Sequence, residues 1–432
     1  MAQRVLVVGG GGREHALAWS LARSSRVDEV LVAPGNAGTS REPKCRNVAV
    51  GAGDLDAIVT LARDEQVALV VVGPEDPLVA GLVDRLSDAG IRAFGPSAAA
   101  AQLEGSKSHC KDFLLRHGIP TGEAATFTDI DAALAHLDSL PAIPVVKASG
   151  LAAGKGVIMA ETRDEAAQAI TDILVDRRFG DAGDEVLLEE RLFGPEVSVL
   201  AFCDGADFRV MPAAQDHKRL AVGDLGPNTG GMGAFHPSPN ADDALLERVG
   251  KEVIAPTLRA MIDEGRPYRG VLYAGMMLTA TGPMVIEFNC RFGDPETQVV
   301  LPLLESDLFD VMNACIDGSL SETAVEWSSD AAVTVVMASG GYPVSSSSPV
   351  PIEGLERLEG LSGDNLRIVF HAGTKTIDGA VHTNGGRVLA VTAVSPSLAE
   401  AAAAAHEGVA LITFDGAQHR TDIARATAEV SS

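Results

Sequence analysis

Apolar runs alternate with amphipathic stretches along the first 104 residues. RVLVVGG, EVLVAPGN and VALVVVGPE are short apolar runs that end at turn residues, and the helix-like stretches REHALAWSLARSS, LDAIVTLARDEQ and LVAGLVDRLSDAG follow them in turn. This pattern predicts a parallel, doubly wound sheet with helices on both faces. Ligands of such sheets bind at the carboxyl ends of the strands, where Gly9–Gly12, Asn36 and Glu75 fall.

The pattern changes after residue 104, and the changes suggest further units. Residues 105–121 read as one helix, 122–190 as a small unit of strands and helices around VVKASGLAAGKGV, and 191–326 as a larger β-rich piece. Beyond 327, strands such as AAVTVVMASGGYP and GRVLAVTAVS precede the helix LAEAAAAAHEGVALI. We therefore predict three domains, 1–104, 105–326 and 327–432, with the small unit 122–190 as a subdomain of the second.

The stretch VIEFNCRFGDPE at 285–296 places polar groups at the end of an apolar strand. Glu287 and Asn289 are two residues apart, so both side chains leave one face of the strand. Both offer hard oxygen ligands, which suit magnesium shared with nucleotide phosphates. Arg291 projects to the same side with a planar fork for a carboxylate or phosphoryl oxygen. The alternative is a buried Glu287–Arg291 ion pair without a metal.

Two glycine-rich loops are candidates for phosphate contact. Gly9–Gly12 lies between a strand and a helix, where backbone amides can hold an anion, although a tight structural turn is the alternative. It is not a dinucleotide fingerprint, because Glu14 stands where the third glycine belongs. GLAAGKGV departs from a P-loop, but Lys155 between two glycines still suits phosphate contact, with a plain hairpin turn as the alternative. Lys147 ends a strand, where a lysine can simply extend to solvent.

Composition narrows the class of protein. The 432 residues include 46% hydrophobic and 22% charged residues, as in ordinary globular proteins. A net charge of −25 argues against non-specific nucleic-acid binding. Five widely spaced cysteines without a CxxC indicate a reducing compartment. No stretch resembles a signal peptide or a membrane span, so we expect a cytoplasmic protein without a membrane partner.

A series of stretches together resembles one known family: GGREHALAW, VAPGNAGT, VVGPEDPLV, FGPSAAAAQLEGSK, GLAAGKGV, QDHKR, GPNTGGMGA and VIEFNCRFGDPETQ, in that order. The chain resembles glycinamide ribonucleotide synthetases, also called phosphoribosylamine–glycine ligases, of the ATP-grasp superfamily. The resemblance covers nearly the whole chain, and GLAAGKGV with the last two stretches is a specific combination. It implies an α/β protein in which a doubly wound N-terminal domain precedes an ATP-grasp core with a small lid and a C-terminal α/β domain.

The resemblance also implies a reaction. Glycine, 5-phosphoribosylamine and ATP would give glycinamide ribonucleotide, ADP and phosphate through a glycyl phosphate, with Mg²⁺ or Mn²⁺ as cofactor, in purine synthesis. Such chemistry needs positioning and charge neutralisation rather than a covalent nucleophile, and no Ser-His-Asp or Cys-His pattern is visible. A closing lid would shield the acyl phosphate from water. We expect a monomer, with a dimer as the alternative.

Site residues follow from the resemblance by matching its motifs. The N-terminal loops would hold the sugar phosphate, and the loop 150–157 would close over ATP. The implied ATP-binding residues are Lys107, Lys147, Gly154, Lys155, Gly156, Glu189, Glu190 and Glu196. The implied substrate-binding residues are Gly11, Gly12, Arg13, Glu14, Asn36, Glu75, Asn228 and Thr229. The implied catalytic residues are Arg291, Asp216 and Lys218, and the implied metal ligands are Glu287 and Asn289.

One position departs from the family pattern. The family usually has K-A-D-G where this chain has Lys147-Ala148-Ser149-Gly150. If the aspartate only caps the loop, serine can replace it with a side-chain hydrogen bond. If the aspartate orients the lysine, nucleotide affinity is weaker here.

Three other functions compete with this interpretation. A related ATP-grasp ligase or carboxylase would share the metal strand but not GGREHALAW or QDHKR. A nicotinamide dehydrogenase would use the N-terminal sheet alone, and the missing third glycine argues against it. A non-catalytic nucleotide sensor would not need both metal ligands together with Arg291.

Overall fold

The computed structural model describes residues 3–152, 156–359 and 365–425. Its first sheet is parallel, as predicted, with the strand order β3-β2-β1-β4-β5. The interior of β1 is fully buried because Val5–Val8 are all apolar. The strands are β1 (Gln3–Gly9), β2 (Val27–Pro34), β3 (Cys45–Asn47), β4 (Leu69–Val72) and β5 (Ala93–Phe94), and the helices are α1 (Gly12–Ala22), α2 (Leu55–Asp64), α3 (Glu75–Val79) and α4 (Leu82–Asp88).

The stretch 78–90 differs from its prediction. The sequence pattern favours one helix there, but α3 ends at Val79 and α4 starts at Leu82. Gly81 between them has φ +86°, a left-handed conformation that interrupts an α-helix. Glu75 is the first residue of the short helix α3.

Two helices and a small antiparallel sheet follow. The helix predicted for 105–121 is present as α6 (Lys107–Arg116), and a further helix, α5 (Ala98–Gly105), precedes it. The sheet has the order β6-β9-β7-β8. Val146 and Ala148 pack with Leu188 in an apolar cluster, so the intervening Lys147 lies on the opposite face. The elements are β6 (Ala124–Phe127), α7 (Ile130–Ser139), β7 (Val145–Ala148), β8 (Val157–Met159), α8 (Arg163–Leu174) and β9 (Val186–Glu189).

A second antiparallel sheet, β11-β10-β16-β17, carries the stretch 285–296. A short hairpin, β13–β14, stands apart from it. The strands are β10 (Glu196–Asp204), β11 (Phe208–Val210), β12 (Gln215–Asp216), β13 (Arg219–Ala221), β14 (Leu225–Asn228), β15 (Gly233–His236), β16 (Arg269–Thr279) and β17 (Gly282–Asn289). The helices are α9 (Asp243–Val249), α10 (Ala255–Asp263), α11 (Thr297–Val300) and α12 (Leu308–Asp317).

The C-terminal sheet has the order β12-β15-β18-β22-β19. It therefore takes two strands from before residue 326, and the boundary at 326/327 stays a proposal. The last elements are β18 (Ala331–Ala338), α13 (Leu355–Glu359), β19 (Leu366–His371), β20 (Thr374–Ile377), β21 (Ala380–Thr383), β22 (Arg387–Ser395) and α14 (Leu398–Leu411).

One apolar cluster joins the three parts of the chain. Leu17 of α1, Phe202 of β10 and Phe370 of β19 are fully buried members of it. This packing brings the carboxyl ends of the N-terminal strands against the end of β17. None of the described helices combines the length and apolar character needed to cross a membrane.

Candidate active site

Glu287 and Asn289 occupy the last positions of β17, as their spacing predicts. Phe288 between them is buried on the opposite face, and the Glu287 side chain lies over Gly275 of the paired strand. Asn289 Oδ1 accepts a hydrogen bond from Arg291 Nη2 at 3.3 Å. Among the described residues, the Glu287 carboxylate has neither a hydrogen-bond donor nor an ion-pair partner.

Three ammonium groups act on that carboxylate. Burial opposes the ionisation of Glu287, but Lys218, Lys147 and Lys107 hold the pKa of this carboxyl below its usual range. Conversely, burial lowers the pKa of Lys107, and Glu287 offsets part of this effect. The arrangement concentrates positive charge around one carboxylate, which is the environment that polyphosphate and a divalent cation require together.

The Glu189 carboxylate contacts one lysine of the small sheet and one lysine of α6. The carboxylate lies 2.5 Å from Lys147 Nζ and 2.6 Å from Lys111 Nζ, and all three side chains are buried. Lys147 therefore does not merely extend to solvent.

Lys107 Nζ donates to Gly150 O at 3.0 Å, which ties the start of α6 to the glycine-rich loop. Gly154 and Lys155 of that loop lie outside the described residues.

The QDHKR stretch brings Asp216 and Lys218 to the same region. Lys218 Nζ lies 3.0 Å from Glu196 Oε2, so the predicted catalytic lysine meets a predicted ATP-binding acid. Burial raises the pKa of Asp216, and Glu196 raises it further. Burial and the nearby Asp216 also raise the pKa of Glu296, which accepts a hydrogen bond from Tyr273 Oη at 2.8 Å. The two carboxyl groups thus lie near each other and near one ammonium.

Arg291 does not pair with Glu287, so the buried Glu287–Arg291 alternative is wrong. Its Nε lies 3.0 Å from Glu75 Oε2, and its Nη2 lies 2.9 Å from Glu104 Oε1. Burial opposes the charge on Glu75, but Arg291 and Arg13 lower the pKa of Glu75 to about 2. Arg291 therefore joins β17 to α3 and α5.

The start of α1 differs from the prediction of a free anion site. Gly11 N donates to Glu14 Oε2 at 2.7 Å, so the helix supplies its own carboxylate to its first turn. Glu14 Oε1 also lies 2.5 Å from Arg13 Nε. An anionic ligand at the Gly11 amide would have to displace Glu14. Gly12 is buried, and the Gln298 side chain fills the space beside its α-carbon.

Asn36 and Thr229 use their side chains to hold loops. Asn36 Nδ2 donates to Gly10 O at 2.9 Å and to His371 O at 2.7 Å, which links the N-terminal sheet to β19. Thr229 Oγ1 donates to Lys218 O at 2.8 Å. Asn228 and Glu190 are exposed, and Glu190 Oε2 accepts from the backbone N–H of Glu123 at 3.2 Å. The direct contacts with substrate predicted for these residues stay predictions.

The chain matches three consecutive family models: the phosphoribosylglycinamide synthetase N domain at residues 3–104, its ATP-grasp (A) domain at 105–297 and its C domain at 332–426. The chain belongs to the phosphoribosylglycinamide synthetase family. A phosphoribosylamine–glycine ligase from Xanthomonas campestris is 52% identical over 422 residues, which cover 97% of each chain. The crystal structure of the Thermotoga maritima phosphoribosylamine–glycine ligase superposes with a TM-score of 0.85 and 32% identity, covering 97% of this chain and 100% of that one.

A longer relative contains the same unit. The trifunctional purine biosynthetic protein adenosine-3 of Gallus gallus is 56% identical over 426 residues, which are 98% of this chain but 42% of that protein. The chain thus spans about two fifths of the length of such relatives. The family match confirms the predicted family and the α/β fold class with an ATP-grasp core.

Ser149 shows how this synthetase-family chain accommodates its departure from K-A-D-G. Ser149 Oγ accepts from the backbone N–H of Ser108 at 3.2 Å and lies 2.7 Å from Ser108 Oγ. Lys107 N donates to Ser149 O at 2.7 Å. The serine therefore supports the first turn of α6, which begins with Lys107. Both alternatives for the role of this position stay predictions.

Several side chains at the family's site carried no prediction. Lys111 and Glu104 are buried and bind predicted site residues, and buried Glu296 accepts a hydrogen bond from Tyr273. In the sequence each of the three reads as one polar position in a helix or turn. Arg387 of β22 reaches Asp294 Oδ2 at 3.0 Å and Gly230 O at 2.6 Å. The local sequence around Asp294 and around Arg387 does not indicate that the two meet.

Proposed function

We propose that this chain joins glycine to 5-phosphoribosylamine at the expense of ATP, giving glycinamide ribonucleotide, ADP and phosphate in purine biosynthesis. The observation that carries the proposal is the Glu287 carboxylate, which lies among three lysines without an ion-pair partner in the described part of the chain. Glu287 is half-buried, so its carboxylate stays accessible to a cation. The relatives named phosphoribosylamine–glycine ligase support the choice of substrates.

Glu287 and Asn289 would hold Mg²⁺ or Mn²⁺. Their donor set fits, since both present hard oxygens from one strand face. Within residues 3–152, 156–359 and 365–425, no group of three or more His, Cys, Asp or Glu is arranged to hold a metal. Nucleotide phosphates and water would therefore complete the coordination. A bound divalent cation supplies neutralisation of phosphate charge.

The nucleotide would lie between the small sheet and β17. Lys107 and Lys147 would bind its phosphates, and a triphosphate would compete with Glu189 for the Lys147 ammonium. Glu189, Glu190 and the backbone after them would read the adenine, and Glu196 would bind the ribose. Gly154, Lys155 and Gly156 would cover the phosphates.

The chemistry has two steps. A carboxylate oxygen of glycine attacks the γ-phosphorus of ATP, ADP leaves, and glycyl phosphate forms. The amine of phosphoribosylamine then attacks the acyl carbon, loses a proton and expels phosphate. Lys218 and Arg291 would offset negative charge at the reacting carboxyl group, and Asp216 lies beside Lys218 on the same side.

Phosphoribosylamine would approach from the N-terminal domain. The turn with Gly11, Gly12, Arg13 and Glu14 would bind its phosphoribosyl group together with Asn36 and Glu75. Asn228 and Thr229 would close the site from the end of β14. The carboxylates Glu14 and Glu75 also suit the amine of this substrate, because an amine donates to carboxylate oxygens.

The cellular location, the partners and the oligomeric state are also proposals. We infer a cytoplasmic protein that acts on small molecules and not on nucleic acid, by analogy with the purine-biosynthesis relatives. A monomer is the proposed state and a dimer the alternative. Light scattering on the purified chain distinguishes the two states.

Phosphate release tests the proposed reaction. Purified chain is given Mg-ATP with glycine, with and without phosphoribosylamine formed in place from ribose 5-phosphate and ammonia. We expect stoichiometric phosphate and glycinamide ribonucleotide only when glycine and phosphoribosylamine are both present. Alanine in place of glycine is the matched control. Phosphate release that requires bicarbonate instead of glycine would favour a related carboxylase.

A further inference from the structure

The hairpin 219–228, formed by β13 and β14, has little apolar support. Every residue of β14 is exposed, and the large side chains of Val222 and Leu225 are 48% and 66% exposed. Two-stranded hairpins without a packed face are marginally stable in water. The hairpin nevertheless connects Lys218 with Asn228 and Thr229, which are predicted site residues. Its position must come from contacts outside its own strands.

Arg420 supplies those contacts from the segment after α14. Its guanidinium makes a bidentate pair with Asp422, with Nε–Oδ1 at 2.8 Å and Nη2–Oδ2 at 2.7 Å. Its Nη1 donates to Asp224 Oδ1 at 2.6 Å and to Arg219 O at 3.2 Å. Asp422 Oδ2 in turn accepts from Gly223 N at 2.9 Å. The start and the turn of the hairpin are therefore both fixed to this segment.

Burial distinguishes this anchor from a surface ion pair. The Arg420 side chain is only 1% exposed, whereas that of Asp224 is 66% exposed. Four hydrogen bonds from one planar guanidinium cannot be reproduced by an ammonium, which has one nitrogen. The Arg420 guanidinium is thus held rigidly in the buried segment after α14, and the exposed hairpin depends on it for its position.

The anchor is close to the proposed site. Asp224 Oδ1 lies 3.8 Å from His217 Nδ1, and His217 directly precedes Lys218. Thr229 N donates to Lys218 O at 2.7 Å, so the far end of the hairpin returns to the same residue. A shift of the hairpin would therefore move the Lys218 backbone and, with it, the ammonium near Glu196.

We propose that Arg420 is a positioning residue, which holds the hairpin 219–228 so that Lys218 and Thr229 stay in place for the ligation reaction. The part of this inference that concerns turnover rests on the proposed function. The part that concerns the hairpin does not, since it can be measured by amide exchange alone. No contact of Arg420 with a substrate is implied.

The test compares Arg420→Gln, Asp224→Asn and the control Arg425→Gln, which alters an exposed arginine of the same segment. In Arg420→Gln, amide hydrogen exchange at residues 220–227 should be about tenfold faster or more, with no change in the N-terminal sheet. The ligase kcat/KM should fall about tenfold, because small displacements of site groups cost that much. Arg425→Gln should match the wild type in both measurements.

Asp224→Asn keeps the proposal testable if the buried Arg420 variant does not fold. Because Asp224 is exposed, its substitution should leave the melting temperature unchanged while exchange at 220–227 accelerates. In a folded Arg420→Gln/Asp224→Asn double variant, the effects of the two substitutions on amide exchange should not add. Asp224→Glu, which keeps the carboxylate, should keep most of the protection from exchange. Unchanged exchange at 220–227 in Asp224→Asn would overturn the proposal. Faster exchange at 220–227 with an unchanged ligase kcat/KM would also overturn the proposal. A wild-type chain without ligase activity would instead refute the proposed function and leave the exchange result valid.

Discussion

Replacing Glu75 by glutamine removes a charge from the contact between the N-terminal sheet and the end of β17 and keeps the side chain's shape. Glu75 Oε2 lies 3.0 Å from Arg291 Nε and 3.8 Å from Arg13 Nη1. Burial alone would raise the pKa of Glu75, but the two arginines lower it from 4.5 to about 2. The charged carboxylate is therefore stabilised more strongly in the folded protein than in the unfolded chain.

The lowered pKa sets the size and the pH range of the effect. A carboxyl whose pKa falls this far on folding contributes about 3 kcal/mol of stability at neutral pH. Because the folded pKa is depressed, the contribution is present above the unfolded value of 4.5 and is lost as the pH falls toward 2. At about pH 3, about 1.4 kcal/mol should remain.

Urea unfolding, followed by the fluorescence of Trp19 and Trp327, measures the free energy of unfolding of the wild type and of Glu75→Gln at about pH 7 and at about pH 3. The control is Asp56→Asn, since Asp56 is 90% exposed and pairs with Arg85 at the surface. That substitution should cost less than about 1 kcal/mol at every pH. The reasoning is refuted if Glu75→Gln and Asp56→Asn lose equal stability at neutral pH, or if the Glu75→Gln deficit does not shrink in acid.

Further variants test the surrounding site. Arg291→Lys keeps the charge but loses the planar fork, so calorimetry should show Mg-ATP binding while product assays show none; wild-type turnover would contradict this. Ser149→Asp alters the support of the α6 turn that carries Lys107, so the KM for ATP should change more than the KM for glycine. An unchanged KM for ATP would disprove that effect. Tyr273→Phe leaves buried Glu296 short of a donor and should lower stability by about 1–3 kcal/mol in thermal melts, whereas an unchanged melt would show that the bond is dispensable.

Local patterns were sufficient to predict most of the fold. The apolar runs of β1 and β4 and the two-residue spacing of Glu287 and Asn289 depend on strand geometry alone, and the structure has them as predicted. The prediction of one helix at 78–90 was wrong because a positive φ at Gly81 interrupts an otherwise helical pattern. Such a conformation depends on the packing around the glycine, which periodicity does not contain.

Long-range pairing limits what could be predicted of the site. Glu14 occupies the helix start where the sequence predicts a ligand anion, because a capping carboxylate and a bound anion satisfy the same amide. Arg291 selects Glu75 and Glu104, which are 216 and roughly 190 residues away, over the nearby Glu287. Arg387 and Arg420 reach the site from the C-terminal part of the chain, and nothing in their local sequence indicates a partner.

Substitution of Glu287 by glutamine tests the central claim most directly. The account predicts that Mg²⁺-dependent ATP binding weakens and ligase turnover nearly vanishes, because the charge that holds the cation is lost. The protein should stay folded, since Arg291 keeps both of its carboxylate partners. Glu252→Gln, in an exposed helical pair with Arg248, is the matched control and should turn over normally. The decisive measurement is the Mg²⁺ dependence of turnover by folded Glu287→Gln: near-zero product at every Mg²⁺ concentration is predicted, and near-wild-type turnover would contradict the assignment of Glu287 as the metal ligand.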